Sequence, residues 1–123
     1  MPRPIPIYKD HDEMYRADTC NPLVQAAESR TVRLEALRHG HYPGRMLAAG
    51  AMSGLKMVGF WDADTDQDWG LDWHRNEGLE VTLLEAGTLS FGAEGGQYKL
   101  CPNQLTILRP WQRHRVGNPH VTE

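Results

Sequence analysis

From residue 55 onward the chain is cut into short patterned runs, each closed by a turn signal. The runs are LKMVGFW (55–61), WGLDW (69–73), LEVTLLE (79–85), TLSF (88–91), QYKL (97–100) and QLTILR (104–109). They are separated by the acidic segment Asp62 to Asp68, by Glu77-Gly78, Glu94-Gly95-Gly96 and Cys101-Pro102-Asn103, and ended by Pro110. An amphipathic helix needs about 10–12 residues to build its stripe, whereas strands close within about 4–8. Trp69, Leu71 and Trp73 alternate with Gly70 and Asp72, the period of two that sends successive side chains to opposite faces. Short strands at close spacing with Gly and Pro turns predict an all-β sandwich or barrel, with 88–91 and 97–100 paired as a hairpin.

Upstream the pattern is different. Asn21 is a good helix N-cap and Pro22 suits the first helical position, so a short helix is expected to run to about Arg30 with Leu23 and Ala27 on one face. Val32, Leu34 and Ala36 then alternate with Arg33 and Glu35, which predicts a strand broken at Tyr42-Pro43-Gly44. Residues 1–20 are Pro-rich and then polar, the composition of a mobile arm that lies against something larger. Gly117-Asn118-Pro119 reads as a turn toward a further strand, so the last strands of the fold are expected to be missing. The organisation is an arm and helix over 1–30 and a β-barrel over 31–123.

The 123 residues suffice for one domain. Hydrophobic residues at 40% and charged residues at 24% separate the chain from disordered tails and membrane proteins. A net charge of −3 provides no general attraction to nucleic acid or anionic lipid. No run approaches the roughly 20 apolar residues of a membrane span, and MPRPIPIYKD lacks a signal-peptide core. Cys20 and Cys101 stand far apart without CxxC spacing, which predicts free thiols and a cytoplasmic location.

Three constellations bear on chemistry. Asp62, Asp64 and Asp66 imitate the first ligands of a calcium loop, but Gln67 replaces the required Gly and Trp73 the closing Glu. The bland reading, a solvated loop, is therefore preferred. His39-Gly40-His41 places two imidazoles two apart, in a segment that reads as a turn with no third ligand nearby, so a packing role is expected. The third constellation is His74, Asn76 and Glu80, with His114 arriving much later. His74 and Asn76 share a strand face and Glu80 opens the next strand, so all can point into a barrel together with His114. Two His and one carboxylate form a facial metal triad suited to iron, manganese, nickel or zinc; the same groups can equally line a pocket and bond one another.

The stretch from His74 to Asn118 resembles the two-motif signature of the cupin superfamily. His74, Asn76, Glu80 and Gly87 stand at the spacings of the first motif, with Asn76 where that motif has its second His and Asp68 in place of its leading Gly. Pro110, His114 and Asn118 follow the second motif, with Pro110 one residue close and the Gly missing. Residues 69 to 119 more narrowly resemble the N-terminal effector-sensing domain of AraC-family transcription regulators, in the WH-x-x-x-G-x-E opening, the x-G-x-L-x-F hairpin and the late Pro…His; residues 20 to 61 fit the same proteins less specifically.

This resemblance implies a cupin-like jelly-roll, the double-stranded β-helix, binding a small-molecule effector and doing no chemistry. Contact with DNA would pass only through a helix-turn-helix domain missing from these 123 residues. No membrane partner is implied, and homodimer formation is left open. The expected ligand-binding residues are Trp73 and Trp111 for stacking, Arg109 for a carboxylate or hydroxyls, and His74, Asn76, Glu80, Tyr98 and His114 for hydrogen bonds. No cofactor is needed on this reading. The alternative is a small cupin enzyme, a dioxygenase or sugar isomerase, using a divalent transition metal on His74, Glu80 and His114. A structural barrel with a filled interior is the third reading.

Overall fold

Each run read as a strand is a strand, with its ends shifted by at most two residues. The structure, a computed structural model, describes residues 5–63, 67 and 69–117. The elements in chain order are β1 (Ile7–Asp10), β2 (Glu13–Arg16), α1 (Asn21–Glu28), β3 (Arg33–Arg38), β4 (Arg45–Met46), β5 (Met57–Asp62), β6 (Leu71–His74), β7 (Glu80–Leu83), β8 (Leu89–Ala93), β9 (Gly96–Leu100), β10 (Leu105–Leu108) and β11 (His114–Val116). The described chain is therefore all-β with one short helix. No helix among the described residues is long and apolar enough to cross a membrane.

The strands form four sheets: β1-β2, β4-β3-β5, β6-β11-β8-β9 and β10-β7. In the three-stranded sheet Gly59 lies opposite Ala36, and a Cβ on Gly59 would stand 2.5 Å from the Ala36 Cβ, so only glycine fits that crossing. In the four-stranded sheet β8 turns Leu89 and Phe91 into the core and β11 turns in His114 and Val116. Leu71, Leu100 and Leu108 join them, and so do Cys20, Leu23, Ala26 and Val32 around the helix.

Helix α1 begins one residue away from the expected cap. Cys20 occupies the N-cap position in a left-handed backbone conformation (φ 56, ψ 36), without a side-chain cap, and Asn21 is the first helical residue. Burial of Cys20 in the core accounts for a position that capping preference assigns to Asn21. The buried face is Leu23 and Ala26, with Ala27 half-buried against the same cluster. The Thr31 and Ser29 hydroxyls both donate to the Ala26 carbonyl, closing the last turn.

Four strands escaped the pattern: β1, β2, β4 and β11. Within the segment read as an arm, β1 and β2 form an antiparallel hairpin in which Tyr8 pairs with Tyr15. Asp18 N–H donates to the Arg75 carbonyl at 2.9 Å, fixing the end of the hairpin to the segment after β6. Tyr15, Tyr8 and Trp111 stack in series with centroids 6.0 and 5.7 Å apart, and the Arg75 guanidinium lies 4.0 Å from the Tyr15 ring.

Candidate functional site

The site lies where β6, β7 and β11 meet. β11 pairs with β6 through His114↔His74 and Val116↔Leu71, a step of two residues against three, so β6 contains a bulge. The bulge overrides the simple alternation of WGLDW. Leu71 and His74 pair with the two core-facing residues of β11, and the intervening Trp73 turns outward. There the Arg113 and Arg115 guanidinium groups lie 4.4 and 5.0 Å from its ring.

Four of the expected residues come together. His114 is only 1% exposed, and its ring lies 4.1 Å from that of His74, centroid to centroid. Its Nε2 is 3.2 Å from Oε2 of Glu80, an ion-pair distance, yet out of line for a hydrogen bond. Asn76 donates from Nδ2 to the same carboxylate oxygen at 3.0 Å. His114 Nδ1 faces the Gln112 carbonyl at 2.8 Å and His74 Nδ1 the Asp72 carbonyl at 2.6 Å, so each Nδ1 is the protonated nitrogen. Asn76 also anchors the loop after β10, because its carbonyl accepts the Trp111 N–H at 2.7 Å.

The electrostatics follow from this packing. Burial alone would lower the pKa of His114, but the Glu80 carboxylate outweighs it and raises the imidazole above its ordinary value. Burial would likewise raise Glu80, but His114 and the Asn76 amide hold the carboxyl below its ordinary range. His74 is lowered, by burial first and then by repulsion from His114. The cluster thus shifts His114 and Glu80 toward their charged forms and His74 toward its neutral form. Burial, reinforced by Asp18 and Glu80, pushes the Cys20 thiol up, which removes it as a nucleophile.

Beside the cluster a groove of about 650 Å³ opens between β8–β9 and β10. Phe91, Ala93, Tyr98, Thr106, Leu108 and Gln112 are among its lining residues. Tyr98 thus faces the groove, half-exposed on the edge strand β9. Arg109 stands at the end of β10, 3.6 Å from Glu94, another lining residue. Trp111 does not reach the groove: it is stacked under Tyr8, and its carbonyl accepts from Arg75 Nη1 at 2.7 Å.

Among the buried side-chain atoms without a hydrogen-bond partner are Thr106 Oγ1, on a residue that lines the groove, and His114 Nε2 and Asn76 Oδ1, in the cluster. Thr106 was not expected from the sequence. It pairs across the strands with Thr82, and each Thr stands between two apolar neighbours. That Val-Thr-Leu and Leu-Thr-Ile pattern is the available sequence signal, and alternation by itself does not say which of the two faces is inside. Arg75 and Gln112, which position Trp111 and His114, carried no motif signal at all.

The metal expected on the alternative reading does not fit this donor set. Among the described residues no three His, Cys, Asp or Glu side chains are arranged to hold an ion. His114 Nε2 and the Asn76 amide both converge on one oxygen of Glu80. His39 and His41 do not converge either: Nε2 of His39 meets the Ala51 carbonyl at 2.6 Å and that of His41 the Asp18 carbonyl at 3.0 Å. Asp64, Asp66, Asp68 and Asn118 lie outside the described residues. Against family models, curated proteins and solved structures, the chain finds no match.

Proposed function

We propose that this chain is the effector-sensing domain of an AraC-type transcription regulator, built as a cupin-like jelly roll. It binds a small molecule in the groove beside His114 and Glu80 and signals to a DNA-binding domain joined to it. One observation carries the reading: buried polar atoms without partners, of which Thr106 Oγ1 lines the groove and His114 Nε2 belongs to a ring that contacts the groove residues Phe91 and Gln112. Buried donors and acceptors are paired in stable folds, so a set left open is a set that a polar ligand can complete. The His114–Glu80 pair, shifted toward its charged forms, gives a ligand hydroxyl or carboxylate strong partners, and Phe91 and Leu108 supply apolar wall.

Ligand binding to the folded state raises its apparent stability. Thermal-shift measurements against pentoses, hexoses, polyols and short carboxylates test the reading. The expected result is a rise in Tm with one chemical class, lost in Thr106→Val and in Asn76→Leu. A flat response across all four classes, with no binding by calorimetry, would overturn it.

A further inference from the structure

We infer that the outer face of the β6-β11-β8-β9 sheet docks an acidic, extended peptide segment of a partner protein through Arg113 and Arg115. His114 and Val116 turn into the core. Alternation along the strand therefore sends Arg113 and Arg115 to the opposite side of the sheet. Both guanidinium groups rest on Trp73, 4.4 and 5.0 Å from its ring. Gly92 supplies the floor. It pairs with Arg115 across the strands, and a Cβ there would stand 2.9 Å from Arg115 Cγ and 3.3 Å from Trp73 Cη2. Gln97, opposite Gly92 on β9, accepts a hydrogen bond from Arg115 Nη2. An indole, a glycine and an amide thus hold the two cations in place, and none of them cancels the charge.

Charge complementarity selects the occupant. Among the described residues no carboxylate forms an ion pair with either guanidinium, and Arg115 Nε is without an acceptor. The neighbouring carboxylate, Asp72, is taken up by the Trp73 N–H at 2.8 Å. Other arginines are used within the chain: Arg109 stands 3.6 Å from Glu94, and Arg75 donates to the Trp111 carbonyl. A guanidinium stacked through its face keeps its in-plane N–H groups for an oxyanion. Side chains two apart on a strand stand about 7 Å apart, and carboxylates at alternate positions of an extended peptide have the same spacing, so one carboxylate meets each fork. Nucleic acid fits less well. It is held by long basic tracks and free ring faces, whereas here one ring is already stacked with two guanidinium groups and the chain carries a net charge of −3. Phe91 and Tyr98 line the groove from the other side of this sheet, so docking does not depend on a groove ligand.

Fluorescence anisotropy of a short labelled peptide alternating Glu and Thr tests the inference, with the matching Gln-Thr peptide and an oligothymidylate of equal length as controls. A Kd of about 100 μM is expected at low salt, weakening as salt rises. The Gln-Thr peptide should bind about tenfold more weakly, and Arg113→Gln and Arg115→Gln should each weaken the Glu-Thr peptide about fivefold. Arg113→Lys keeps the charge but loses the fork and should cost about threefold. Arg113 is exposed, so its variants keep the fold, which an unchanged Tm verifies. Arg33→Gln, which removes a guanidinium from the β4-β3-β5 sheet, should leave binding unchanged. No binding up to about 5 mM overturns the inference. So do equal affinity for the Gln-Thr peptide, wild-type binding by Arg113→Gln and Arg115→Gln, an equal loss in Arg33→Gln, or tighter binding of the oligothymidylate.

Discussion

The two sheets that enclose the groove are built inside-out relative to one another. The β6-β11-β8-β9 sheet buries Leu71, Leu89, Phe91 and Val116 and shows Trp73 and Arg113 outside. The β7–β10 sheet turns Glu80 toward His114 and leaves Val81, Leu83, Leu105 and Ile107 exposed, with Leu105 and Ile107 lining the groove alongside Thr106. Stability resides in the first sheet, because burial of apolar side chains drives folding. The second gives up that gain to bring polar groups to the His114 cluster and the groove. A strand that is polar on the inside and apolar on the outside is poor at building a core and better suited to lining a site.

The contrast can be broken most directly at Phe91, which is 2% exposed. Phe91→Ala should cost about 3–5 kcal/mol in urea unfolding. Glu80→Ala strands His114 as a buried imidazole without its carboxylate and should cost about 3 kcal/mol by the same measurement; Glu80→Gln, which keeps an acceptor for Asn76, should cost less. Tyr8→Ala removes the middle ring of the Tyr15–Tyr8–Trp111 stack and should cost about 1 kcal/mol, read as faster proteolysis at the hairpin and a lower Tm. The smallest effect belongs to the inverted sheet. Ile107→Thr, at a side chain that is 63% exposed, should cost under about 0.5 kcal/mol. Equal costs at Phe91 and Ile107 would erase the distinction between the sheets.

The ion pair sharpens the comparison through pH. His114 has a raised pKa in the fold, so its contribution is complete below the ordinary imidazole value of 6.5 and is lost as pH rises through the higher folded value. Glu80 has a lowered pKa, so its contribution is complete above the ordinary 4.5 and is lost as pH falls through the lower folded value. His74 is lowered and acts against His114: its contribution is present above 6.5 and is lost as pH falls below it. Urea midpoints from acid to alkaline pH should therefore fall at both ends for the wild type. In Glu80→Gln the alkaline fall should shrink, since His114 loses the charge that raised it. An unchanged alkaline limb would place the titrating group elsewhere.

Much of the fold was legible because period and punctuation agree. Gly95-Gly96 and Pro102-Asn103 flank β9, and Pro22 sits in the first turn of α1. The strands that were missed lack such marks. β11 is three residues long and has polar residues at its first two positions, so no alternation announces it. The hairpin β1–β2 was hidden by prolines ahead of it and by exposed polar residues along it. In the site, the spacing of His74, Asn76, Glu80 and His114 was readable, although Asn76 does not share a strand with His74: β6 ends at His74, and Asn76 reaches Glu80 from the segment between β6 and β7. The outward turn of Trp73 was not, because a bulge is a property of the pairing between β6 and β11 and leaves no residue signature in either strand.

The sequence by itself determined that the described chain is short strands and one helix, and that two imidazoles, an amide and a carboxylate sit at spacings that can converge. Local periodicity and turn chemistry act within a few residues, so they are written along the chain. Tertiary structure alone decided which face of each strand is the inside. Alternation labels two faces without saying which one meets the core, and β7 and β10 settle it against the apolar side because His114 on β11 meets Glu80 on β7 across the interior. It also decided that Trp111 lies under Tyr8 and that His114 faces one carboxylate oxygen and not a metal site. Those outcomes depend on contacts between residues far apart in sequence, where only packing can fix position.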